Sequence, residues 1–232
     1  MKRTSDPQPW ATLAAEIVEC CRCPRLVRWR EAVALRKVAR FREQPYWGRP
    51  IPGFGDPQAR LWVIGLAPAA HGGNRTGRVF TGDPSGDWVF RALHRAGFAN
   101  QSTSTHREDG LQLKDCYISA VVRCAPPDNR PTPAEAKTCL GYLARELSLL
   151  SHVRVILALG HFAFKHTLTL FNLPKPRPRF GHNQVAPLPQ GRYVLASYHP
   201  SQRNTATKLL TEEMFDAVFA QAKGLLTQQP NP

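Results

Sequence analysis

The sequence is short of acidic residues. Its 232 residues include 17 Asp and Glu against 31 Lys and Arg, which gives a formal net charge of +14 at pH 7. This excess favours a polyanionic partner, and 23 of the basic residues are Arg, whose planar guanidinium suits phosphate oxygens. A GC-rich or heat-adapted genome would produce the same bias, so charge alone leaves nucleic-acid binding open.

The sequence also lacks a long apolar segment. No stretch approaches the roughly 20 apolar residues of a membrane span, and the first ten residues contain no apolar core of a secretion signal. Hydrophobic residues still make up 42% of the chain, enough for a packed core. We therefore expect a soluble, cytoplasmic protein without membrane contact. Its length predicts a single domain over residues 1–232, with frayed ends at 1–8 and 228–232.

Several catalytic motifs are missing as well. The chain has no G-x-S-x-G elbow, no G-x-x-x-x-G-K-[ST] phosphate loop and no Rossmann glycine motif after its first apolar strand. No lysine lies in the segments that follow the predicted strands, so an amine nucleophile that forms a Schiff base is not indicated. These absences leave hydrolysis by an activated water as the favoured chemistry.

The apolar pattern predicts an α/β fold. Near-continuous apolar runs rich in β-branched residues are typical of parallel strands covered on both faces. They occur at 61–66, 116–122, 153–159 and 193–198. Helical periodicity occurs at 26–41, 85–96, 133–150, 161–170 and 208–226. This alternation predicts a doubly wound, mainly parallel four-stranded sheet flanked by helices.

Two segments rich in proline and glycine interrupt this pattern. Residues 43–58 predict an ordered loop, and residues 177–191 predict a hairpin before the last strand. Thr132 and Glu135 have the spacing of a capping box, with Pro133 at the first helical position. The carboxyl ends of parallel strands share one edge of a sheet, where ligands bind. Polar turns after three of the strands therefore predict one composite site.

The six cysteines suggest a metal centre. Cys20 and Cys23 have C-x-x-C spacing, whereas Cys124 and Cys139 are 15 positions apart. Buried or incidental thiols are one interpretation, and structural zinc is another. The spread second pair favours a four-thiolate iron–sulfur cluster over zinc. Cys21 and Cys116 lie outside this set.

Four side chains at the strand ends are able to take part in chemistry. His199 directly follows a strand and precedes a proline, although a structural histidine is the alternative. Asp83 precedes a helix, where it could equally be an N-cap. Asn129 follows two prolines in a turn, where Asn is common for conformational reasons. Phe80 lies in a glycine-containing loop and could stack on a planar ligand.

These segments resemble the uracil-DNA glycosylase superfamily, most closely its family 5, the B-type enzymes. The resemblance covers residues from about 20 to 215 in order. The matching motifs are YWGRPIPGFGDP (46–57), GLAPAAHG (65–72), NRTGRVFTGD (74–83), RCAPPDNRPTP (123–133) and SYHPS (197–201).

The resemblance implies a cofactor and a catalytic set. In that family four cysteines hold a [4Fe-4S] cluster, and they match Cys20, Cys23, Cys124 and Cys139, so an iron–sulfur-bound N-terminal segment is expected. The implied catalytic residues are Asp83, Asn129 and His199. Many relatives carry polar residues where this chain has Ala67 and Ala120. Family 5 is similar in both respects and accepts a wider set of bases, such as hypoxanthine or hydroxymethyluracil.

The implied activity is excision of uracil from DNA in base excision repair. A base inside a duplex must be flipped into a pocket before it can be removed. Gly65, Ala67 and Phe80 are expected to bind the flipped base, and the product is an abasic site without strand cleavage. The expected DNA contacts are Arg75, Arg78, Gln202, Arg203 and Asn204.

Two further expectations complete the interpretation. We expect a monomer associated with the nucleoid, where its substrate lies. The alternative function is a non-catalytic iron–sulfur DNA-binding module with a glycosylase-like fold. Such a module would bind DNA in a salt-dependent way without releasing a base.

Overall fold

A computed structural model describes residues 7–228 of the chain. The ends predicted to fray lie outside this range except at three positions. Residues 7 and 8 belong to the first helix, and residue 228 follows the last one. Within residues 7–228, no helix combines the length and the apolar character needed to cross a membrane.

A six-stranded sheet forms the centre of the structure. Its strand order is β1-β3-β2-β4-β6-β5, in which the four middle strands are parallel and each edge strand is antiparallel to its neighbour. The strands are β1 (Phe54–Gly55), β2 (Leu61–Gly65), β3 (Cys116–Ala120), β4 (Val155–Leu159), β5 (Gln184–Leu188) and β6 (Arg192–Ser197). The α/β class and the four parallel strands are confirmed, but the predicted sheet was two strands too small.

Both additional strands lie in the two segments rich in proline and glycine. β5 pairs with β6 as the predicted hairpin, and Pro187 is tolerated because β5 is an edge strand. β1 is only two residues long and occurs in the segment predicted as a loop. Gly55 has φ +129 in β1, and a Cβ there would come within 2.4 Å of the Cys116 carbonyl oxygen. A strand that depends on such close approach leaves no apolar pattern in the sequence.

The helices cover both faces of the sheet. They are α1 (Pro7–Val18), α2 (Pro24–Arg36), α3 (Gly73–Thr76), α4 (Pro84–Arg95), α5 (Pro133–Leu149), α6 (His161–Leu170), α7 (Gln202–Ala206) and α8 (Glu212–Thr227). The capping box of α5 forms as predicted, since Thr132 and Glu135 exchange side-chain to backbone hydrogen bonds. α8 begins four residues later than predicted because Thr211 caps it through Met214 N. α1, α3 and α7 were not predicted.

Alternating side chains of the strands supply two apolar layers. On β2, Val63 packs in the layer that contains α4 and α8, whereas Trp62 and Ile64 pack in the layer that contains α5 and α6. All residues of β2, β3 and β4 are buried. Each such apolar side chain stabilises the fold by roughly 1.5–3 kcal/mol. This two-sided core fixes the carboxyl ends of the four parallel strands, in the order β3, β2, β4 and β6, along one edge of the sheet.

Candidate active site

A cleft of about 510 Å³ opens where the parallel strands end. Asp83, Asn129 and His199 line it, together with Ala67 and Phe80. The other lining residues are Leu66, Ala69, Pro84, Ser85, Ser201, Gln202 and Arg203. Side chains that are distant in the sequence thus meet in one cavity, because each follows a different strand or begins a helix beside it.

Asp83 is both a helix cap and a member of the cleft. Its Oδ1 accepts a hydrogen bond from Gly86 N (3.0 Å), which caps α4. Its Oδ2 lies against Gly72, where an added Cβ would come within 2.1 Å. Burial raises the pKa of Asp83 above its ordinary value, although backbone hydrogen bonds from Gly86 and Ser85 act in the opposite direction. The carboxyl group is therefore fixed in position and a better base than an exposed aspartate.

His199 is held at the end of β6 by its own backbone. Its carbonyl oxygen accepts hydrogen bonds from Asn204 Nδ2 (2.8 Å) and Ser201 N (2.8 Å). A Cβ added at Gly160, the residue before α6, would lie 3.3 Å from His199 Cβ, so α6 begins close beside His199. Burial lowers the pKa of His199 to about 4. The imidazole is neutral at pH 7 and presents one N–H donor and one acceptor nitrogen.

Phe80 forms the floor of the cleft and is only 8% exposed. Its φ is +54, and two glycines allow this conformation. A Cβ at Gly65 would come within 2.6 Å of Phe80 Cζ, and a Cβ at Gly86 within 1.9 Å of the Phe80 carbonyl oxygen. The ring centroid lies 6.0 Å from that of His199. Phe80 lies in the predicted loop, and its ring also packs in the core.

Gly65, predicted to bind the flipped base, lies next to the ring of Phe80. Gly65 is not one of the described residues that line the cleft. Its carbonyl oxygen accepts a hydrogen bond from Val121 N (3.0 Å). Its role in this geometry is to leave room for Phe80. Ala67 does line the cleft, and its small side chain leaves the space above Phe80 open.

Asn129 projects from a short 3₁₀ turn, Pro127–Asn129, after β3. Both Asp128 and Asn129 have positive φ, 53° and 55°, a conformation that Asn and Asp tolerate better than most residues. Asn129 is exposed and lines the mouth of the cleft. Asn129 can therefore serve both as a turn residue with positive φ and as a polar group of the cleft.

The three residues of α7 that were predicted to contact DNA divide into two groups. Gln202 and Arg203 are exposed and line the cleft. Asn204 turns inward, where its side chain donates to the His199 carbonyl oxygen and its backbone N–H donates to Ser201 Oγ (3.3 Å). Asn204 therefore supports the backbone of His199, a role that the sequence did not reveal.

Arg78, predicted to contact DNA, points into the protein instead. It is 7% exposed, and its Nη2 donates to Asp109 Oδ2 (2.7 Å) and Ser104 Oγ (2.7 Å). Its Nε donates to Thr81 Oγ1 (3.0 Å). The ion pair lowers the pKa of Asp109 to about 2 despite the opposing effect of burial. Because Arg78 is buried and bonded in this way, it supports the loop before α4 and is not placed to contact a phosphate.

Arg75 is also committed to the protein. Its three guanidinium nitrogens donate to the His71 carbonyl oxygen (2.8 Å), Gln44 Oε1 (2.7 Å) and the Gly82 carbonyl oxygen (2.9 Å). The guanidinium stacks on Phe41, 3.9 Å from the ring centroid. These bonds hold the segment that leads to Asp83.

The four cysteines predicted as ligands lie in or beside four separate elements. Cys20 and Cys23 lie between α1 and α2, Cys124 follows β3, and Cys139 is in α5. Burial raises the pKa of Cys124 to about 12 and also raises that of Cys139, to which the charges of Cys23 and Cys20 add. All are free thiols. In the described part of the chain, no three His, Cys, Asp or Glu side chains are grouped as ligands of one metal ion.

Arg30 is buried beside these thiols and was not singled out in the sequence. It is 3% exposed, and its Nη1 donates to Cys124 Sγ (3.1 Å) and the Cys20 carbonyl oxygen (3.2 Å). Its Nε is buried with no partner among residues 7–228. The one carboxylate nearby, on the exposed Glu31, is 3.5 Å away. A buried guanidinium requires negative charge nearby, and thiolates that bind a cluster would provide it.

Comparison with known proteins identifies the family. The model of the uracil DNA glycosylase superfamily matches residues 52–223, which is most of the chain. The chain belongs to this superfamily. Curated relatives named Type-5 uracil-DNA glycosylase extend the match. That of Mycobacterium bovis is 53% identical over 215 residues, which are 92% of this chain and 80% of the relative.

Relatives from other lineages are similar over the same extent. The Type-5 uracil-DNA glycosylase of Thermus thermophilus is 52% identical over 209 residues, 90% of this chain and 94% of the relative. That of Pyrobaculum aerophilum is 42% identical over 223 residues, 96% of both chains. The resemblance to family 5 drawn from the motifs is therefore confirmed. The match includes the segments that form the cleft.

Proposed function

We propose that the protein is a uracil-DNA glycosylase of base excision repair, a hydrolase of N-glycosyl bonds. The observation that carries this function is the single cleft in which Asp83 and a neutral His199 adjoin the ring of Phe80. Relatives named for the same activity, at up to 54% identity over most of the chain, support it.

The first step is entry of a flipped base. Unpairing costs a few kcal/mol, least for a mispaired base such as uracil opposite guanine. In the cleft the base stacks on Phe80, the only large planar floor that the lining residues within 7–228 provide. Ala67 and Ala69 leave the opposite wall without bulk.

His199 stabilises the leaving base. The bond between sugar C1′ and the base nitrogen breaks, and the base departs with the electron pair, so negative charge grows on its exocyclic oxygens. The neutral imidazole donates its N–H to one of these oxygens. The interaction strengthens in the transition state, and the backbone bonds from Asn204 and Ser201 hold the donor in advance.

Asp83 acts on the sugar side of the bond. The sugar gains positive character as the base leaves, which a nearby carboxylate stabilises. The same carboxylate orients a water and accepts its proton as the hydroxide adds to C1′. Asn129 at the mouth is the second group able to position that water. No lysine lines the cleft within residues 7–228, which supports release of an abasic site without strand cleavage.

A wider set of bases fits the same cleft. Its volume of about 510 Å³ and the alanine at position 67 support acceptance of hypoxanthine and hydroxymethyluracil alongside uracil. Ala120 at the end of β3 is fully buried, so it offers the base no polar group to read. We also propose that the protein acts as a monomer on the DNA of the nucleoid.

A [4Fe-4S] cluster held by Cys20, Cys23, Cys124 and Cys139 is the proposed cofactor. The four-thiol donor set and the buried Arg30 beside it fit a thiolate-bound, negatively charged group. Bound to these four cysteines, the cluster would have a structural role as a cross-link between elements. It would join α2 and α5 to the loop after β3, five positions before Asn129.

A panel of oligonucleotides tests the activity. Each carries one altered base, and alkaline cleavage after incubation reveals abasic sites. We expect cleavage at uracil in the wild type and loss of roughly 10²–10³ in rate for His199→Ala. If the wild type binds DNA but releases no base from any strand, a non-catalytic DNA-binding module is the correct function.

A further inference from the structure

A second and larger cavity adjoins the active-site cleft. This flanking groove encloses about 760 Å³, enough for more than one nucleotide. Gly82 lines the groove, and the next residue, Asp83, lines the cleft. Arg75 holds this shared wall through its bond to the Gly82 carbonyl oxygen (2.9 Å). The groove therefore lies beside the site where the base is excised, with the Gly82–Asp83 segment between them.

Two aromatic rings in the flanking groove each carry a guanidinium on one face. Arg107 lies over Trp47 at 4.5 Å from the ring centroid, and Arg75 lies over Phe41 at 3.9 Å. The first pair is built into the fold, because a Cβ at Gly77 would come within 2.8 Å of Arg107 Cδ and 3.0 Å of Trp47 Cδ2. Planar guanidinium and aromatic faces are surfaces on which nucleobases stack.

The two arginines differ in what remains available to a ligand. All three guanidinium nitrogens of Arg75 donate within the protein. The guanidinium of Arg107 is exposed and has no hydrogen-bond acceptor among residues 7–228. Arg107 thus offers a planar cation whose outer face and N–H groups are open to a partner.

The charges of the groove indicate which part of DNA fits it. Asp87 and Glu108 also line it, and both are exposed. These carboxylates repel phosphates but accept hydrogen bonds from the amino and imino groups of a base edge. In a duplex those edges are paired and the base faces are stacked on neighbours. Only an unpaired base can present both a free face and a free edge to this groove.

We propose that the flanking groove binds unpaired nucleotides of the strand that carries the excised base, with one base stacked on the Arg107–Trp47 pair. The proposal rests on the proposed function, since it takes DNA as the substrate. It makes the groove a site that favours single-stranded DNA, or duplex opened beside the lesion, over intact duplex.

Binding of an abasic-site analogue tests this without turnover. Fluorescence anisotropy would give Kd for one oligonucleotide, single-stranded and annealed to its complement. We expect Arg107→Ala to weaken single-strand binding at least about fivefold, the loss expected for one stacked base. The duplex Kd of Arg107→Ala should rise no more than that of Lys223→Ala. Lys223→Ala removes one charge at the amino ends of the strands, away from the cleft. Arg107→Lys keeps the charge but not the plane, and should lose most of the single-strand preference.

Two results would overturn the proposal. One is an equal loss of single-strand and duplex affinity in Arg107→Ala. The other is a single-strand loss no larger than in Lys223→Ala. Failure of the proposed function is separate, because it would appear as absence of uracil release by the wild type and by Lys223→Ala.

Discussion

Gly72 lies directly against the carboxylate of Asp83, with no space for even one methyl group between them. A Cβ at position 72 would come within 2.1 Å of Asp83 Oδ2 and 2.8 Å of its Cβ. Gly72 has φ −100° and ψ −104°, and its contact with Asp83 leaves room only for glycine. The backbone of the first strand-end loop thus sets the position of the proposed catalytic carboxylate.

Gly72→Ala should therefore displace Asp83 and slow base excision by about 10²-fold, since small misplacements of reacting groups carry losses of this size. The check is the single-turnover rate of uracil release, with the thermal midpoint measured beside it. Gly141→Ala is the matched control, because a Cβ there meets nothing within 4 Å and alanine favours the helix. Equal rates in the two variants would contradict the role of this contact.

Asp83→Asn should separate catalysis from folding. Asparagine caps a helix as well as aspartate does, so α4 should remain formed while the rate falls by roughly 10²–10³. Because burial raises the pKa of Asp83, its ionised form destabilises the fold at pH values above the unfolded pKa. The variant should then have a higher thermal midpoint than the wild type at pH 7, and this gain should shrink near pH 3. A lower thermal midpoint for Asp83→Asn at pH 7 would show that the ionised carboxylate does not destabilise the fold.

The buried imidazole predicts an acid-sensitive fold. The pKa of His199 is lowered to about 4, against 6.5 for an ordinary histidine. Below pH 6.5 the unfolded chain therefore takes up a proton that the folded chain refuses. Stability should fall as pH drops from 6.5 to 4, by up to about 3 kcal/mol. Urea unfolding of the wild type and His199→Gln at pH 7 and pH 4.5 measures this, and the variant should lose less. Parallel losses in both proteins would count against it.

Asn204→Ala should affect catalysis more than DNA affinity. The amide is part-buried and donates to the His199 carbonyl oxygen at 2.8 Å. We expect a rate loss of about tenfold, from a less well-held donor, with little change in Kd. Arg203→Ala is the comparison, since its exposed charge should weaken DNA binding and reduce the salt slope by about one. A large Kd change in Asn204→Ala would restore the original prediction.

Arg30→Met should impair retention of the proposed cluster. Methionine fills the buried volume but provides neither the charge nor the 3.1 Å bond to Cys124 Sγ. We expect less iron per chain and weaker absorbance near about 400 nm, from thiolate charge transfer. Arg28→Met, on the exposed face of the same helix, is the control. Equal iron content in the two variants would show that Arg30 does not stabilise the cluster.

The central strands were predictable because burial on both faces requires apolar residues at every position. The start of α5 was predictable because Thr132 and Glu135 form a local cap. Arg78 was not, since its acidic partner Asp109 lies in an irregular loop 31 positions away and a basic residue in a basic protein suggests an exposed position. The burial of Arg30 was not predictable either, because a basic residue in a basic helix suggests an exposed position and its partner Cys124 is 94 positions away.

The cleft itself was predictable only in part. Motifs identified its side chains, and the order of parallel strands placed their loops at one edge. The close contacts at the glycines could not be predicted from the sequence, because the need for glycine depends on which residue packs against it in the fold. The sequence assigned Gly65 to base binding but gave no sign of its close contact with the ring of Phe80.

These contacts also limit how the protein can diverge. Gly65, Gly72 and Gly86 each lie where a single methyl group would collide with Phe80 or Asp83. Mutations on that side of the cleft abolish the site before they can reshape it. Ala67 and Ala69 line the same cavity and are only partly buried. New base preferences in descendants of this chain should therefore arise by enlargement at these two alanines, while the glycine side stays unchanged.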